Sequence, residues 1–293
     1  MAKKAGDIAA KIVETKKNQA SVEVTVIEKN SSSAYREALK HMAKEVTLKG
    51  FRKGKAPLNL VEKQLDPQKV LEHAISHLLP QILTAALKEH DLKPLSNPQI
   101  HLVEAKRDSA WKFRLEIPLQ PEIDTKDFKD YIKGELAAGT IWTPDKGTKE
   151  ETGKEPDQEE KFKKLLDALL KKYLFDVPPL MVEDEINRSL SRLLQQVETL
   201  GLKLEDYLKS IGKTAEQLRT EYYNAAEDNL RLEIILARLG QELEITVTDA
   251  EVDDMIRNAG DEATQKKLTT PEQKRYIGEI IRKRKTIDAL LSL

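Results

Sequence analysis

A chain of 293 residues with 34% charged side chains, 5% aromatics and no cysteine is long enough to bury two cores. Its Lys-, Glu-, Leu- and Ala-rich profile is that of long helices, and a disulfide framework, a thiolate zinc site and a cysteine nucleophile are excluded. The net charge of −1 conceals an asymmetry: residues 1–120 carry 21 Lys and Arg against 14 Asp and Glu, while residues 121–264 carry 20 against 33, so the first part suits a polyanionic surface that would repel the acidic stretch.

Period-two alternation opens the chain. Ile8, Ala10 and Ile12, then Val22, Val24 and Val26, interleave with polar residues on either side of the polar stretch 15–19, the pattern of a hairpin. Ser31, Ser32 and Ser33 are placed to cap a helix over about 33–46, with Tyr35, Leu39 and Met42 on one stripe. A basic, glycine-containing loop follows, and Asp66-Pro67 opens a second helix that carries Val70, Leu71, Ala74, Ile75, Leu78, Ile82, Leu83, Ala86 and Leu87 at helical spacing. Pro80 is expected to kink it. Two extended runs, 100–105 and 111–119, end this part, the second alternating as Trp111, Phe113, Leu115 and Ile117. The expected first domain is therefore α+β in the order ββααββ over residues 1–121.

Residues 122–157 hold four of the twelve glycines and almost no apolar side chain after Trp142, and are expected to form an extended linker. From 158 to 293 the pattern is helical throughout, with a break at Pro178-Pro179 and helix ends at Gly201 and Gly212. Thr214 with Gln217, Thr248 with Glu251, and Thr270 with Pro271 and Gln273 mark three helix starts. The expected second domain is all-α.

No run approaches 18 apolar residues, and lysines precede any apolar core at the N-terminus, so neither a membrane span nor a signal peptide is expected and the cytoplasm is the default location. No nucleophile elbow, phosphate loop or dinucleotide fingerprint occurs, so neither a catalytic residue nor a cofactor is expected. His73 and His77 have the spacing of two zinc ligands on one helix face, but no Glu lies between them and no third ligand is indicated; His41, His90 and His101 are scattered. A metal site is not expected. Leu193, Leu194, Val197, Tyr222, Tyr223, Ile277 and Ile281 fit helix cores better than exposed binding patches.

The informative segment is Gly50-Phe51-Arg52-Lys53-Gly54-Lys55-Ala56-Pro57. Two glycines permit a tight excursion between helices and Pro57 stiffens its exit, which leaves Phe51, Arg52 and Lys53 at an exposed tip. An aromatic beside two cations can bury one ring and hold a carboxylate or phosphate, which suits a mixed protein and RNA surface. A charged turn with no partner would have the same composition.

Gly-Phe-Arg-Lys-Gly-x-x-Pro between two helices of a ββααββ domain resembles the ribosome-docking signature of bacterial trigger factor, and the match over 50–57 is complete. In the second half, Asp176-Val177-Pro178 before 180–186, and Glu244-Ile245-Thr246-Val247-Thr248 before Glu251 and Val252, resemble that family's substrate-binding domain. The resemblance implies an ATP-independent chaperone at the nascent-chain exit of the large ribosomal subunit, touching protein and RNA there through Gly50, Phe51, Arg52, Lys53, Gly54, Lys55 and Pro57. It implies unfolded nascent polypeptides as the other partner, held by helical arms, with no membrane and with a homodimer off the ribosome. The family usually carries an FKBP-type prolyl isomerase domain between the halves, whereas residues 122–157 offer 36 positions, fewer than the ~40 a domain needs to fold unaided. No enzyme activity is therefore expected; the alternatives are a peptidyl-prolyl isomerase and a parvulin-type periplasmic chaperone.

Overall fold

Alternating apolar residues build one antiparallel sheet, in the order β1–β2–β4–β3, from β1 (Ile8–Lys16), β2 (Gln19–Val26), β3 (Gln99–Glu104) and β4 (Trp111–Pro118). The computed structural model describes residues 8–48, 51–137 and 158–293. Its contacts divide the chain into two units, Met1–Gln120 with Pro178–Met181, and Pro121–Val177 with Val182–Leu293.

In the first unit Lys17 and Asn18, at φ 50° and 55°, join β1 to β2. Two successive left-handed residues are what a type I′ hairpin requires, and the turn sets Lys16 opposite Gln19. Val22, Val24 and Val26 stand opposite Leu115, Phe113 and Trp111, and all six are buried. Opposed residues of an antiparallel pair share a face, so these side chains form a single apolar layer. Against it pack α1 (Glu28–Ala43) and α3 (Pro67–Glu89) through Ala38, Leu39, Val70, Ala74, Ile82 and Ala86. Each large side chain in this layer contributes about 1.5–3 kcal/mol on burial.

Two local expectations are corrected. First, α1 starts at Glu28, with Ile27 as an extended cap residue, and ends at Ala43. Ser31 lies inside the helix, its hydroxyl 3.0 Å from the Glu28 carbonyl and 2.6 Å from that of Ser109, so a tertiary partner takes the serine that local chemistry assigned to a cap. Second, the short helix α2 (Leu58–Gln64) makes the order ββαααββ; its two turns bury only Val61 and are too brief to show a helical period. The second long helix begins as read, with Asp66 accepting from the Gln68 N–H at 2.9 Å and Pro67 at its first position, and it continues through Pro80.

The second unit is helical: α4 (Phe128–Ala137), α5 (Gln158–Lys172), α6 (Pro179–Thr199, its first residues grouped with the first unit), α7 (Leu204–Ser210), α8 (Ala215–Glu242), α9 (Asp249–Arg257), α10 (Glu262–Leu268) and α11 (Pro271–Leu291). The extended linker expected over 122–157 is corrected in its first part. There α4 buries Phe128 and Ile132 with Leu165, Leu169, Ile235, Leu239 and Leu290; two apolar side chains four apart suffice to dock one face amid otherwise polar sequence. Residues 138–157 lie outside the described residues. Thr214 with Gln217 and Thr248 with Glu251 form complete capping boxes, and Thr270 accepts from the Gln273 N–H. No helix among the described residues is long and apolar enough to cross a membrane.

Candidate functional site

The loop between α1 and α2 is folded around its own backbone. After α1 ends at Ala43, the Lys44 N–H donates to the His41 carbonyl and the Glu45 N–H to the Met42 carbonyl. Val46, Leu48, Ala56 and Leu58 are partly buried against the core of the first unit and so anchor both arms of the loop. Between the anchors, the Phe51 N–H donates to the Leu48 carbonyl at 3.0 Å and the Lys55 N–H to the Arg52 carbonyl at 2.9 Å.

The second bond closes a four-residue turn with Gly54 third, at φ +74°. A positive φ at that place alone is the type II geometry, which favours glycine. Space requires glycine as well, because a Cβ there would stand 3.2 Å from the Lys44 carbonyl oxygen and 3.3 Å from the Lys44 Cα. The tip thus folds back onto the end of α1. Pro57, at φ −59° and ψ 137°, precedes the first residue of α2, and its carbonyl accepts from the Leu60 and Val61 N–H groups.

Phe51 is 40% exposed, and Arg52, Lys53, Gly54, Lys55 and Pro57 are exposed. The structure brings these together on one short loop; Gly50 and Lys49 lie outside the described residues. Among the described residues, none of Arg52, Lys53 and Lys55 has an ion-pair partner, whereas the neighbouring Arg107 is committed: it lies 2.7 Å from Glu62 and 5.7 Å from the centre of the Tyr35 ring. Burial first, then the Glu62 carboxylate, pushes the Tyr35 phenol above its ordinary pKa. Charges behind the loop are neutralised in place, and those at its tip are left for solvent or a partner.

A second surface was only partly readable. Leu193, Val197 and Ile277 are buried as core, but Leu194 and Tyr223 are exposed. The turn between α6 and α7 was not singled out by the sequence, yet it presents Leu200 at 72%, Leu202 at 46% and Leu204 at 37% exposure around Gly201, at φ +70°. Three leucines within five residues at a helix end read as one more helical stripe until the chain reversal is seen. The other missed grouping is of imidazoles: His41, placed alone by the sequence, lies beside His73 and His77. Among the described residues, no group of three or more His, Asp, Glu or Cys side chains could hold a metal ion.

Comparison with known proteins agrees with the sequence resemblance. Residues 9–138 match the family model described as bacterial trigger factor protein, and residues 147–292 match the model of the bacterial trigger factor C-terminus. A trigger factor of Syntrophomonas wolfei is 24% identical over 207 residues, covering 70% of this chain and 44% of that protein. One from Natranaerobius thermophilus is 32% identical over 113 residues, 39% of this chain and 25% of that protein. One from Corynebacterium kroppenstedtii is 39% identical over 92 residues, 31% and 19% of the two chains. The chain therefore spans less than half the length of these curated relatives. A solved structure described as "Promiscuous Substrate Recognition in Folding and Assembly Activities of the Trigger Factor Chaperone" shares the fold with a TM-score of 0.61 at 15% identity, over 97% of this chain and 99% of that one.

Proposed function

The chain belongs to the trigger factor family, and from that premise we propose that it is a ribosome-associated, ATP-independent chaperone of the cytoplasm. The first unit docks at the nascent-chain exit of the large ribosomal subunit through Phe51, Arg52 and Lys53, on a frame set by Gly54, Lys55 and Pro57, and Gly50 belongs to the same docking segment. The helical unit holds emerging unfolded polypeptides on exposed apolar side chains, Leu200, Leu202 and Leu204 among them, and a second copy of the chain covers these when no ribosome is present. Prolyl isomerisation is not part of the proposal, because the two family models leave only residues 139–146 between their matches, too few for a domain.

The observation that carries this reading is a ring 40% exposed and, among the described residues, two cations with no ion-pair partner, on a loop tied by its own backbone hydrogen bonds. Fixing the loop in advance lowers the entropy lost on docking. Burying the rest of the Phe51 ring offers about 1 kcal/mol, and each charge-assisted hydrogen bond from Arg52 about 1.5–3 kcal/mol. Affinity therefore rests on the cations as much as on the ring. Replacing Phe51, Arg52 and Lys53 by alanine should abolish cosedimentation with ribosomes while the helical circular dichroism spectrum is unchanged, and wild-type binding should weaken steeply with salt as RNA counterions cease to be released. Undiminished cosedimentation of the triple variant would refute the docking assignment.

A further inference from the structure

The sheet of the first unit has two edges, β1 and β3, and they are finished differently. On β1 the Ala10 N–H donates to the Glu89 carboxylate at 3.0 Å, and the Ala10 carbonyl accepts from Nε2 of His90 at 3.2 Å in the tautomer protonated there. Both groups of Ala10 therefore point away from β2, where the end of α3 caps them. In an antiparallel pair the N–H and C=O of one residue point to the same side, and successive residues alternate. Ala10 stands opposite Val24, Val24 opposite Phe113, and Phe113 opposite Leu102. Carrying the alternation across that row turns the N–H and C=O of Leu102 away from β4, together with those of Ile100 two residues before it. The Leu119 N–H, which donates to the Asn18 carbonyl, and the Pro118 carbonyl, which accepts from the Leu95 N–H, point as this alternation requires. Among the described residues, no backbone group of residues 100–104 bonds outside β4.

Ile100 and Leu102 also share the apolar face with Leu115 and Phe113. Ile100 is only half-buried and Leu102 is exposed, because α3 lies over β1 and β2 at the other side of the sheet. Sheet edges are ordinarily blocked by lysine, proline or a covering element, and β3 contains neither residue. Its carboxylate, Glu104, is occupied by Lys106 at 3.4 Å and Lys112 at 3.9 Å, and its bulge, between Leu102 and Glu104, lies beyond the regular run. We propose that the open edge of β3 is a docking site for an extended segment of unfolded polypeptide, which adds to the sheet as a fifth, antiparallel strand. The segment exchanges main-chain hydrogen bonds with Ile100 and Leu102 and lays an apolar side chain opposite each. Main-chain bonding is indifferent to sequence, so the site takes segments with apolar residues two apart. Size argues against a second copy as the occupant: two six-residue edges, each about 20 Å long, bury on the order of 400 Å², against about 1,200–2,000 Å² for a stable interface. That the occupant is a client rests on the chaperone reading above; the open edge does not.

The test is fluorescence anisotropy of the full chain with a short labelled peptide of alternating Val and Thr, a Lys at each end. In the antiparallel arrangement the residues that bond to Ile100 and Leu102 are those whose side chains join the apolar face, the valines. N-methylation of the valine nitrogens should weaken binding at least about tenfold, whereas N-methylation of the threonine nitrogens, which face solvent, leaves it as the parent peptide's. Hydrogen exchange of the saturated chain should show new protection at the amides of Ile100 and Leu102 and none at Ala10. Leu102→Pro removes an outward donor and no bond to β4, and should also bind at least about tenfold more weakly; if circular dichroism shows it unfolded, the two methylated peptides decide. Absence of saturable binding, equal affinity of the two methylated peptides, or unchanged exchange at Ile100 and Leu102 would overturn the site. Protection there that rises with protein concentration in the absence of peptide would overturn the occupant in favour of a second copy. Delay of aggregation of a denatured protein is read separately: its loss strikes the chaperone reading, and a failed peptide test with the delay intact strikes the strand site alone.

Discussion

Tyr173, just past the end of α5, carries a hydroxyl with no hydrogen-bond partner among the described residues, inside a core of the helical unit. Burial first, then Asp124 and Tyr131, pushes its pKa up to about 12, against about 10 for an exposed tyrosine. An acid whose folded pKa is raised favours the fold while neutral, so its contribution is complete below about pH 10 and is lost as pH rises through about 12. Urea melts followed by circular dichroism should therefore fall more steeply over that interval for the parent than for Tyr173→Phe. At neutral pH the variant should be as stable as the parent or slightly more so, because an unpaired buried hydroxyl is removed; parallel curves would disprove the assignment. Nothing local in the sequence marks Tyr173 as unpaired, just as nothing marks His41 as a neighbour of His73, 32 positions on. The docking tip was legible at this scale because its determinants, two glycines and a proline, act on their own backbone.

Helix ends divide in the same way. Thr214 and Gln217 satisfy each other's backbone within four residues, so the start of α8 was readable, as was that of α9 from Thr248 and Glu251. The start of α1 was misread because Ser109, 78 positions away, supplies the partner of Ser31. The two cases make opposite forecasts. Thr214→Ala should cost about 1 kcal/mol in chemical denaturation, the usual loss for a cap, whereas Ser33→Ala, at an exposed position inside α1, should change stability by less than about 0.5 kcal/mol. A Ser33→Ala loss as large as the Thr214→Ala loss would restore the serine to the cap. Helices α2 and α4 escaped the sequence reading for a different reason: each buries only one or two apolar side chains, and a stripe that short has no period to detect.

At the scale of the whole molecule, composition located the change from an α+β to a helical half near residue 120, but not the return of Pro178–Met181 to the first unit, which depends on packing. If the exposed leucines of the α6–α7 turn hold clients, replacing Leu200, Leu202 and Leu204 by serine in the full chain should reduce its delay of aggregation of a diluted, denatured protein. Its helicity should be retained, since these residues are exposed rather than core. Equal protection by the variant would remove the turn from that role. The sheet of the first unit also sets an order of events. Its central pair joins Val26 to Trp111 and Gln19 to Pro118, partners 85 and 99 positions apart, so one edge of β2 stays unpaired until β4 has been made, while the hairpin with β1 needs only its own turn. Distant pairing must meet the entropy of closing a long loop before any burial rewards it, and a chain emerging at about 5–20 residues per second leaves that edge unpaired for several seconds. A growing chain that has not reached Trp111 therefore holds every residue of the docking loop and lacks the platform that gives the loop its shape.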